Sequence, residues 1–580
     1  MIDYLSNLPV ELIHKIFDDV TTFDILGCLS LVNKRLRLIS FDYPRFRLDL
    51  NSIKRKKQFD VFCDQLASIS SQVVSLSLSD QNDGTIPAKI EIFFSRFEFI
   101  NDTFSNLSSL HLSHVDHLMW KSIKHHIKLL TSLVSIFIVL AHMHFGDEVG
   151  DFTSYLLKDL LFISTSLKYV YVKPDNVFVH TAYLDFREEK VSSIEYFTLL
   201  SVPTDLEKLC SVVPALRTLN IKAMIYHPAH KFCLNLFENL RRLSLTIYHL
   251  YFSTIEQLLY PMRKLVDLIL IANNVYYDMC DGAAWERILA EIISFKFLFR
   301  FHKTTWSKDP IKLDSFRSLF WLEKKRWYVG YDRCTVSGFS LLYSIPYFMN
   351  AYPWHSMKGD IDTISTGPQV LSLNNVNRFT VSEQLPTDYK YLRRMTNLQR
   401  LVIDESDKIF NVFFHNILPH IDISKMTTLV LAEGRSMIDI NRFVQFIFSM
   451  PHLRTISASI IYIKYLFFSR WPNIRRVEIL CSWPTNTITE RRLTLSEIDA
   501  FYLSFTHIEY LSFHQDVDLN PSILLNNIPT TISNIVVYHP VNITHADFQD
   551  FVTPDWLEQN TRLRDFYYSC SKLNTVSLWF

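Results

Sequence analysis

The sequence is poor in glycine: only 10 of its 580 residues are glycine, against 45 phenylalanines and 27 tyrosines. It therefore has almost no material for the glycine-rich loops that wrap phosphate groups. Neither sign of charge is in excess, because 59 lysines and arginines balance 59 aspartates and glutamates. That balance argues against a general nucleic-acid-binding protein, which would carry a basic surplus.

The 8 cysteines are scattered along the chain without a Cys-x-x-Cys pair, so neither a zinc ribbon nor a disulfide framework is indicated. The N-terminus lacks the basic and apolar regions of a secretory signal. The long uncharged stretches are too polar, or too interrupted by proline, to span a membrane. We therefore expect a soluble intracellular protein, cytoplasmic, nuclear or both, without membrane partners, metal or cofactor.

Enzyme signatures are also missing, since the Gly-x-Ser-x-Gly, Walker-type and His-Glu-x-x-His patterns do not occur. Asp278 and Asp281 are close enough in sequence to pair as acid and base, but loop carboxylates are the better interpretation because no partner motif accompanies them. His111, His114 and His117 have a spacing that can bind zinc, yet side chains of a strand alternate between faces and would scatter these ligands. We expect no catalytic residues. An enzyme with an unrecognised site is a third hypothesis, which a deep polar pocket would support.

A dense helical pattern occupies residues 8–38. Four apolar residues recur at the spacing that gathers side chains on one helical face: Leu12, Ile13, Ile16 and Phe17. Asp24 stands where an N-cap would start a second helix, and an apolar set around Leu36 predicts a third. Three short helices cannot bury all of these side chains against each other, so some must meet the rest of the chain or a partner.

This segment resembles an F-box, whose pattern opens with Leu-Pro, continues with Glu-Leu/Ile and Ile-Phe, and ends near Val-x-Lys-x-Trp-Arg. The matching residues are Leu8, Pro9, Glu11, Leu12, Ile16, Phe17, Asp24, Leu26, Val32, Lys34 and Arg37. Leu36 replaces the usual Trp and keeps that position apolar. The resemblance implies docking onto the Skp-type adaptor of a cullin ubiquitin ligase. The residues expected to bind that adaptor are Leu8, Pro9, Leu12, Ile13, Ile16, Phe17, Ile25, Leu26, Leu31 and Val32.

From Val73 onward a six-residue pattern returns sixteen times: apolar, two variable, apolar, one variable, apolar. Apart from one long gap, successive copies start 21 to 34 residues apart, which overlaps the period of leucine-rich repeats. The copies start at Val73, Leu107, Leu133, Leu167, Ile194, Leu216, Leu240, Leu265, Val376, Leu398, Met426, Leu453, Ile474, Ile508, Ile532 and Leu563.

Helix starts precede several copies. Pairs with capping-box spacing are Thr204 with Glu207, Ser253 with Glu256, Thr494 with Glu497, and Thr544 with Asp547. Each repeat is then a helix, a turn and a short strand whose apolar face only the next repeat can cover, so repeats stack. The array resembles the irregular leucine-rich repeats found behind an F-box, although the asparagine that usually follows the strand occurs only at Asn273.

The predicted fold is an α/β leucine-rich-repeat-like solenoid, a horseshoe, preceded by a three-helix F-box. The F-box spans residues 1–48 and a connecting helix residues 49–72. The array spans residues 73–275 and 371–580. An irregular middle at 276–370, read as a domain break or an insertion, includes short antiparallel strands.

In such an array, the variable strand positions line one concave surface that suits a protein partner. The predicted substrate-binding residues are Tyr171, Asn220, Ser244, Val402, Glu478, Ser512, His514 and Tyr567. Ile269 and Val536 belong to the same positions, where burial between repeats is an equal alternative.

The leading hypothesis is therefore a non-catalytic substrate adaptor of an SCF-type ubiquitin ligase, which brings a protein substrate to the transfer machinery. The second hypothesis is a repeat scaffold whose N-terminal helices only cap the array. Exposure of Leu8, Ile13 and Phe17 separates the two, because a cap would bury them against residues near Val73.

Overall fold

The structure is a computed structural model. It describes residues 5, 7–53, 56–80, 89–97, 100–141, 147–174, 191–204, 206–223, 238–301, 311–334, 337–352, 361–367, 373–381, 392, 395–403, 413–431, 440–480, 493–514, 521–538, 554–563, 566–571 and 575–579. The chain divides into two compact units, Met1–Met224 with Phe232–Leu243, and Ile225–Lys231 with Ser244–Phe580. Both are mixed α/β structures with parallel sheet, consistent with the predicted solenoid, whose curvature stays a prediction.

The first unit opens with helical segments Val10–Phe17, Thr22–Asp24, Ser30–Val32 and Lys34–Phe41, with a π-helical turn Ile25–Leu29 between the second and third. Thr21, and not Asp24, caps the second segment, because the Thr21 hydroxyl accepts a hydrogen bond from the Asp24 backbone N–H at 3.2 Å. The prediction of an Asp24 cap is therefore wrong, because this helical segment already begins at Thr22.

Parallel strands follow in sequence order: β1 Phe46–Asp49, β2 Val73–Ser79, β3 Ser109–Val115, β4 Ser135–Leu140, β5 Tyr169–Pro174, β6 Tyr196–Thr204 and β7 Thr218–Ala223. The helices between them are Lys56–Leu66, Lys89–Arg96, Ile100–Thr103, His117–Leu129, Asp147–Phe162 and Leu206–Val212. Short 3₁₀ turns lie at Leu50–Ser52 and Ser70–Gln72.

Each repeat of this unit buries alternate strand positions under a helix. In β3, Leu110 and Leu112 are fully buried, whereas the side chains between them face the other side of the sheet. The following helix presents Trp120 and Ile123 to the same core, three residues apart on one face. Asp116 caps this helix by accepting a hydrogen bond from the Met119 N–H at 2.8 Å.

Strand β8, Arg242–Tyr248, begins in the first unit and continues in the second from Ser244. The other strands of the second unit are β9 Asp267–Asn273, β10 Ser294–Phe301, β11 Tyr328–Cys334, β12 Ser340–Ile345, β13 Ile361–Ser365, β14 Arg378–Val381, β15 Arg400–Ile403, β16 Thr428–Leu431, β17 Thr455–Ser459, β18 Arg476–Leu480, β19 Tyr510–His514, β20 Asn534–Tyr538, β21 Tyr567–Ser571 and β22 Thr575–Trp579. Strands β14 to β20 pair in parallel and in sequence order.

The helical elements of this unit are Phe252–Leu259, Gly282–Ile288, Ile440–Phe448, Ile460–Tyr465, Leu495–Ser504, Pro521–Asn526 and Pro554–Asn560. Its 3₁₀ turns are Tyr277–Cys280, Asp314–Arg317, Leu418–His420 and Leu466–Phe468, and its π-helical turns Phe320–Lys325 and Phe413–Ile417.

The irregular middle contains the antiparallel pairs that the sequence predicts. Strand β10 pairs in parallel with β9, so the array runs beyond the point where the repeat pattern lapses, and β12, β11 and β13 then follow in antiparallel order. A fully buried carboxylate ties these strands together: Asp332 accepts hydrogen bonds from Tyr343 at 2.8 Å, from Thr363 at 2.6 Å and from Tyr352. Gly330 lies against the Tyr343 ring, where a Cβ would come within 2.7 Å.

All of the predicted repeat copies overlap strands in the described part of the chain. The copy at Leu563 leads into β21, which pairs antiparallel with β22 and therefore closes the array instead of extending its parallel ladder. Strand β1 precedes the first predicted copy and is an additional strand that the sequence analysis does not predict.

The capping-box predictions have mixed outcomes. The box of Thr494 and Glu497 is confirmed, with both reciprocal hydrogen bonds present. That of Ser253 is wrong, because the helix begins at Phe252, whose N–H donates to Asp278 at 2.9 Å instead. The pair Thr204 and Glu207 and the pair Thr544 and Asp547 include side chains outside the described residues.

Lys89 is a fully buried cation in the first unit. Its ammonium group donates hydrogen bonds to the backbone oxygens of Leu50 at 2.8 Å and Ile53 at 3.2 Å. Burial lowers the pKa of Lys89 to about 8, and the attraction of Asp80 only partly offsets this.

This burial predicts a pH dependence of stability. Above about pH 8 the unfolded chain, with its lysine pKa of 10.5, binds more protons than the folded chain, so stability rises with pH up to about 10.5. Between pH 8 and pH 10 we expect the free energy of unfolding of the natural protein to rise by about 2 kcal/mol relative to that of Lys89→Met. The melting temperature of the natural protein should rise relative to that of the variant over the same range. Circular dichroism melts of both proteins measure the difference. A difference in melting temperature that stays constant or shrinks over this pH range would contradict the prediction, since Asp80 and the other neighbours are present in both proteins.

Candidate docking surfaces

The N-terminal helices are organised around Tyr43. Its ring centre lies 5.5 Å from that of Phe17 and 5.2 Å from that of Phe46, both in edge-to-face contact. Its hydroxyl donates to Asp18 Oδ1 at 2.6 Å, and Arg45 binds the other carboxylate oxygen at 3.0 Å. Burial raises the pKa of Tyr43 to about 12, and the hydrogen bond to Asp18 adds to the rise. The end of the first helix is thereby fixed to the chain that enters β1.

These helices also contact the start of the sheet. The buried hydroxyl of Thr22 donates to the Arg47 backbone oxygen in β1 at 2.7 Å. The Phe23 ring lies 4.4 Å from the Phe62 ring of helix Lys56–Leu66. Because β1 pairs with β2, the helices and the first strands of the array share one core.

A second set of apolar side chains in this region stays exposed. Leu12 is 45% exposed, Ile16 38%, Leu31 74% and Val32 39%. Leu12 and Ile16 lie four residues apart and so share one face of helix Val10–Phe17. The Arg35 guanidinium donates to the Leu8 backbone oxygen at 2.9 Å, which joins helix Lys34–Phe41 to the start of the first helix. We call Leu12, Ile16, Leu31 and Val32 the exposed apolar set.

The predicted adaptor-binding residues thus fall into three groups. Pro9, Leu12, Ile16, Leu31 and Val32 are exposed, Leu8 and Leu26 are half-buried, and Ile13, Phe17 and Ile25 are buried.

The burial of Ile13 and Phe17 differs from the expectation of an open docking helix. Phe17 packs on Tyr43 within the helical region itself, so this burial does not depend on residues near Val73 as a simple cap would require. The two residues therefore stabilise the helices, and the surface left for a partner is narrower than predicted.

Sequence reasoning missed Tyr43, Asp18 and Thr22. The Asp18 carboxylate accepts hydrogen bonds from both Tyr43 and Arg45. The sequence signal that could have indicated these contacts is the run of aromatic and basic residues at 43–47, shortly after helix Lys34–Phe41.

On the open face of the first unit, the strand register brings Tyr171 and Asn220 into one row. The row runs His111, Phe137, Tyr171, Thr198 and Asn220 across five paired strands. The Phe137 ring lies 5.3 Å from Tyr171 and is 38% exposed. This face is therefore aromatic and partly accessible, and burial raises the pKa of Tyr171.

In the second unit, four further predicted positions share a row. The row runs Val402, Val430, Ser457, Glu478, Ser512 and Val536 across strands β15 to β20. Val402 and Glu478 are partly exposed, but Ser512 is 3% exposed and Val536 is buried, so the face closes toward β20.

The remaining positions are scattered. Ser244 and Ile269 are half-buried in β8 and β9. Tyr567 lies in β21, which β22 separates from β20, and the side chains of Tyr567 and His514 lie outside the described residues.

The weighed chemical candidates have structural explanations. Asp281 caps helix Gly282–Ile288, and Asp278 accepts from the Phe252 N–H at 2.9 Å. His111 lies within hydrogen-bonding distance of Ser77 and Ser113, and burial lowers its pKa. In the described ranges, no group of three His, Cys, Asp or Glu side chains is placed to hold a metal ion. No helix there is long and apolar enough to cross a membrane.

The contribution of Tyr43 to the stability of these helices can be tested by removing its hydroxyl and keeping its ring. Tyr43→Phe keeps the ring but removes the hydrogen bond to half-buried Asp18, so we expect a loss of about 1–2 kcal/mol of local stability. Hydrogen–deuterium exchange should become faster in helices Val10–Phe17 and Lys34–Phe41. Tyr260→Phe, at a tyrosine that is 76% exposed, is the control and should leave exchange unchanged. Equal exchange in both variants would contradict the role of Tyr43.

Comparison with known proteins identifies the N-terminal region. Among solved structures, the Rad7–Elc1 complex of yeast is 9% identical, with a TM-score of 0.24 and 92% of each chain covered. An LRR protein of Leptospira interrogans is 12% identical, with a TM-score of 0.21, 79% of this chain and 93% of its own covered. No curated protein matches the chain. The family model of the F-box domain matches residues 5–48, so the helices around Tyr43 form an F-box domain.

Proposed function

We propose that the protein is a non-catalytic substrate adaptor of an SCF-type ubiquitin ligase. The F-box domain at residues 5–48, together with apolar side chains that this domain leaves exposed, carries the proposal. F-box domains dock onto a Skp-type adaptor and through it onto a cullin, so the chain would supply proximity to the transfer machinery and no acid, base or nucleophile.

The exposed apolar set is the proposed docking surface. Burial of a fully exposed leucine gains about 1.5–3 kcal/mol, and Leu31, at 74% exposed, and Leu12, at 45%, would gain corresponding fractions of it, which is enough for a few side chains together to anchor a complex. Pro9 lies beside them at the start of the first helix and is also exposed. Ile13, Phe17 and Ile25 would act indirectly, by holding the helices that present this surface.

The repeats are the proposed substrate-binding part. The accessible predicted residues at their outward strand positions are Tyr171, Asn220, Ser244, Val402 and Glu478. A broad face of mixed polar, aromatic and aliphatic side chains suits a protein substrate better than a small molecule.

The scaffold hypothesis keeps one supporting observation. Strand β1 extends the sheet beyond β2, and Thr22 and Phe23 pack the F-box helices onto the same end of the array, so the domain does cover an array terminus. A terminal repeat needs a cap over its apolar face, but a capping role does not explain why Leu12 and Leu31 are exposed.

A binding measurement with the full chain tests the proposal. The purified protein is titrated with a Skp-type adaptor by isothermal calorimetry, and we expect micromolar or tighter binding. Leu12→Asp and Leu31→Asp should each weaken binding by about tenfold or more, since a carboxylate cannot be buried in an apolar contact at low cost. Phe17→Ala is unsuitable as a docking probe because Phe17 is 1% exposed and its loss would unfold the domain.

Leu118→Asp provides the matched control. Leu118 is 54% exposed on helix His117–Leu129, outside the F-box domain, so its variant should bind like the natural protein. Absence of binding by the folded full chain, or equal weakening by the Leu118 variant, would leave the scaffold as the better hypothesis.

A further inference from the structure

Two arginines stand side by side on the open face of the second unit. Strand register places Arg378 opposite Arg400, followed by Thr428, Thr455 and Arg476 on the next strands of the same row. Adjacent strands lie about 4.8 Å apart, so the Cα atoms of the two arginines are separated by roughly that distance. Both arginines are exposed, while Phe379 and Leu401 beside them in sequence point into the core.

The third arginine of the row is already neutralised. Arg476 donates to Glu478 Oε1 at 2.5 Å, and its guanidinium carbon lies 4.0 Å from the centre of the Tyr510 ring. Glu478 also accepts a hydrogen bond from Ser457. The Glu478 carboxylate, two residues further along β18, is thus held by Arg476 and Ser457.

Arg378 and Arg400 have no such partner. Within the described part of the chain, neither guanidinium forms an ion pair or a hydrogen bond to a side chain. Burial lowers the pKa of Arg400, and the positive charge of Arg378 lowers it further, with the attraction of Glu478 acting in the opposite direction. Two adjacent like charges on a sheet face are unfavourable for folding, so the fold gains nothing from their juxtaposition.

We propose that Arg378 and Arg400 bind an acidic segment of a partner protein, laid across strands β14 to β16. The inference rests on the proposed function, since it assigns a chemical class to the substrate that the repeats would present. Guanidinium groups bind carboxylates through paired hydrogen bonds, and both fork-shaped donors are available here. The Thr428 and Thr455 hydroxyls continue the row and offer further donors.

Charge and shape favour a peptide over a nucleic acid at this face. Single-stranded nucleic acids need accessible aromatic rings for base stacking, but Tyr510, the aromatic residue of this row, is only 5% exposed and is covered by Arg476. The chain as a whole has no basic surplus, with 59 residues of each sign. A short local pair of arginines instead matches a few carboxylates on an extended segment.

Fluorescence polarisation with the full chain tests the inference. The probe is a labelled ten-residue peptide of alternating glutamate and glycine, with the corresponding glutamine peptide as its neutral counterpart. We expect binding of the glutamate peptide only, weakening as salt is raised. The double variant Arg378→Gln, Arg400→Gln should bind it about tenfold more weakly.

Two controls separate this inference from the proposed function. Arg263→Gln, at another exposed arginine of the second unit, should bind the glutamate peptide like the natural protein. The double variant should still bind the Skp-type adaptor, because its substitutions lie outside the F-box domain. If the natural protein binds the glutamate peptide but not the Skp-type adaptor, that result would count against the proposed ligase role and not against this inference.

Three results would overturn the inference. These are no binding of the glutamate peptide by the natural protein, equal binding by the double variant, and equal weakening by Arg263→Gln. A labelled ten-nucleotide single-stranded RNA that binds more tightly than the peptide, and is lost in the double variant, would also overturn it in favour of nucleic-acid recognition.

Discussion

The parallel ladder is the constraint on which the rest of the molecule depends. Within each run of parallel strands, a repeat pairs its strand with that of the next repeat and buries alternate side chains, such as Leu110 and Leu112, between the sheet and a helix. The side chains between them point to the other face of the sheet, where several are accessible, such as Phe137 in β4 and Arg378 in β14. Such accessible positions can carry an aromatic or a charged side chain without disturbing the core, whereas the same face is buried at Ser512 and Val536.

The strands form two separate sheets, one of 13 strands from β1 to β13 and one of 9 strands from β14 to β22, and each has a special element at one end. In the first sheet β1 pairs with the outer edge of β2, and the F-box helices pack behind it through Thr22 and Phe23. The second sheet ends with the antiparallel pair β21 and β22. Exposed strand edges invite aggregation, so covering them has a structural value of its own. Capping and docking are therefore not exclusive: one surface of the F-box domain serves the array while another stays open.

Periodicity predicted the repeats well because each strand copy carries three apolar positions that the ladder requires. It failed where the structure depends on particular partners. Asp332 lies on β11 in the irregular middle, and the hydroxyls it receives come from three positions distant in sequence. Phe17 was expected on a docking face because helical spacing cannot tell which of two adjacent apolar stripes is inside. Only Tyr43, reaching back across 25 residues to Asp18, decides that.

Leu12 and Ile16 are exposed whereas Ile13 and Phe17 are buried, and this difference has a physical consequence for binding. The buried pair is satisfied within the F-box domain, so the exposed pair is presented on an already folded helix, and docking would not require ordering of the chain at the moment of association. The same holds for Arg378 and Arg400, which are fixed to neighbouring strands by backbone pairing. A partner would then lose conformational freedom of its own on binding, while this chain would lose little more than the rotational freedom of its side chains. Preorganised surfaces of this kind suit the proposed adaptor role, in which the chain binds other proteins without first ordering segments of its own.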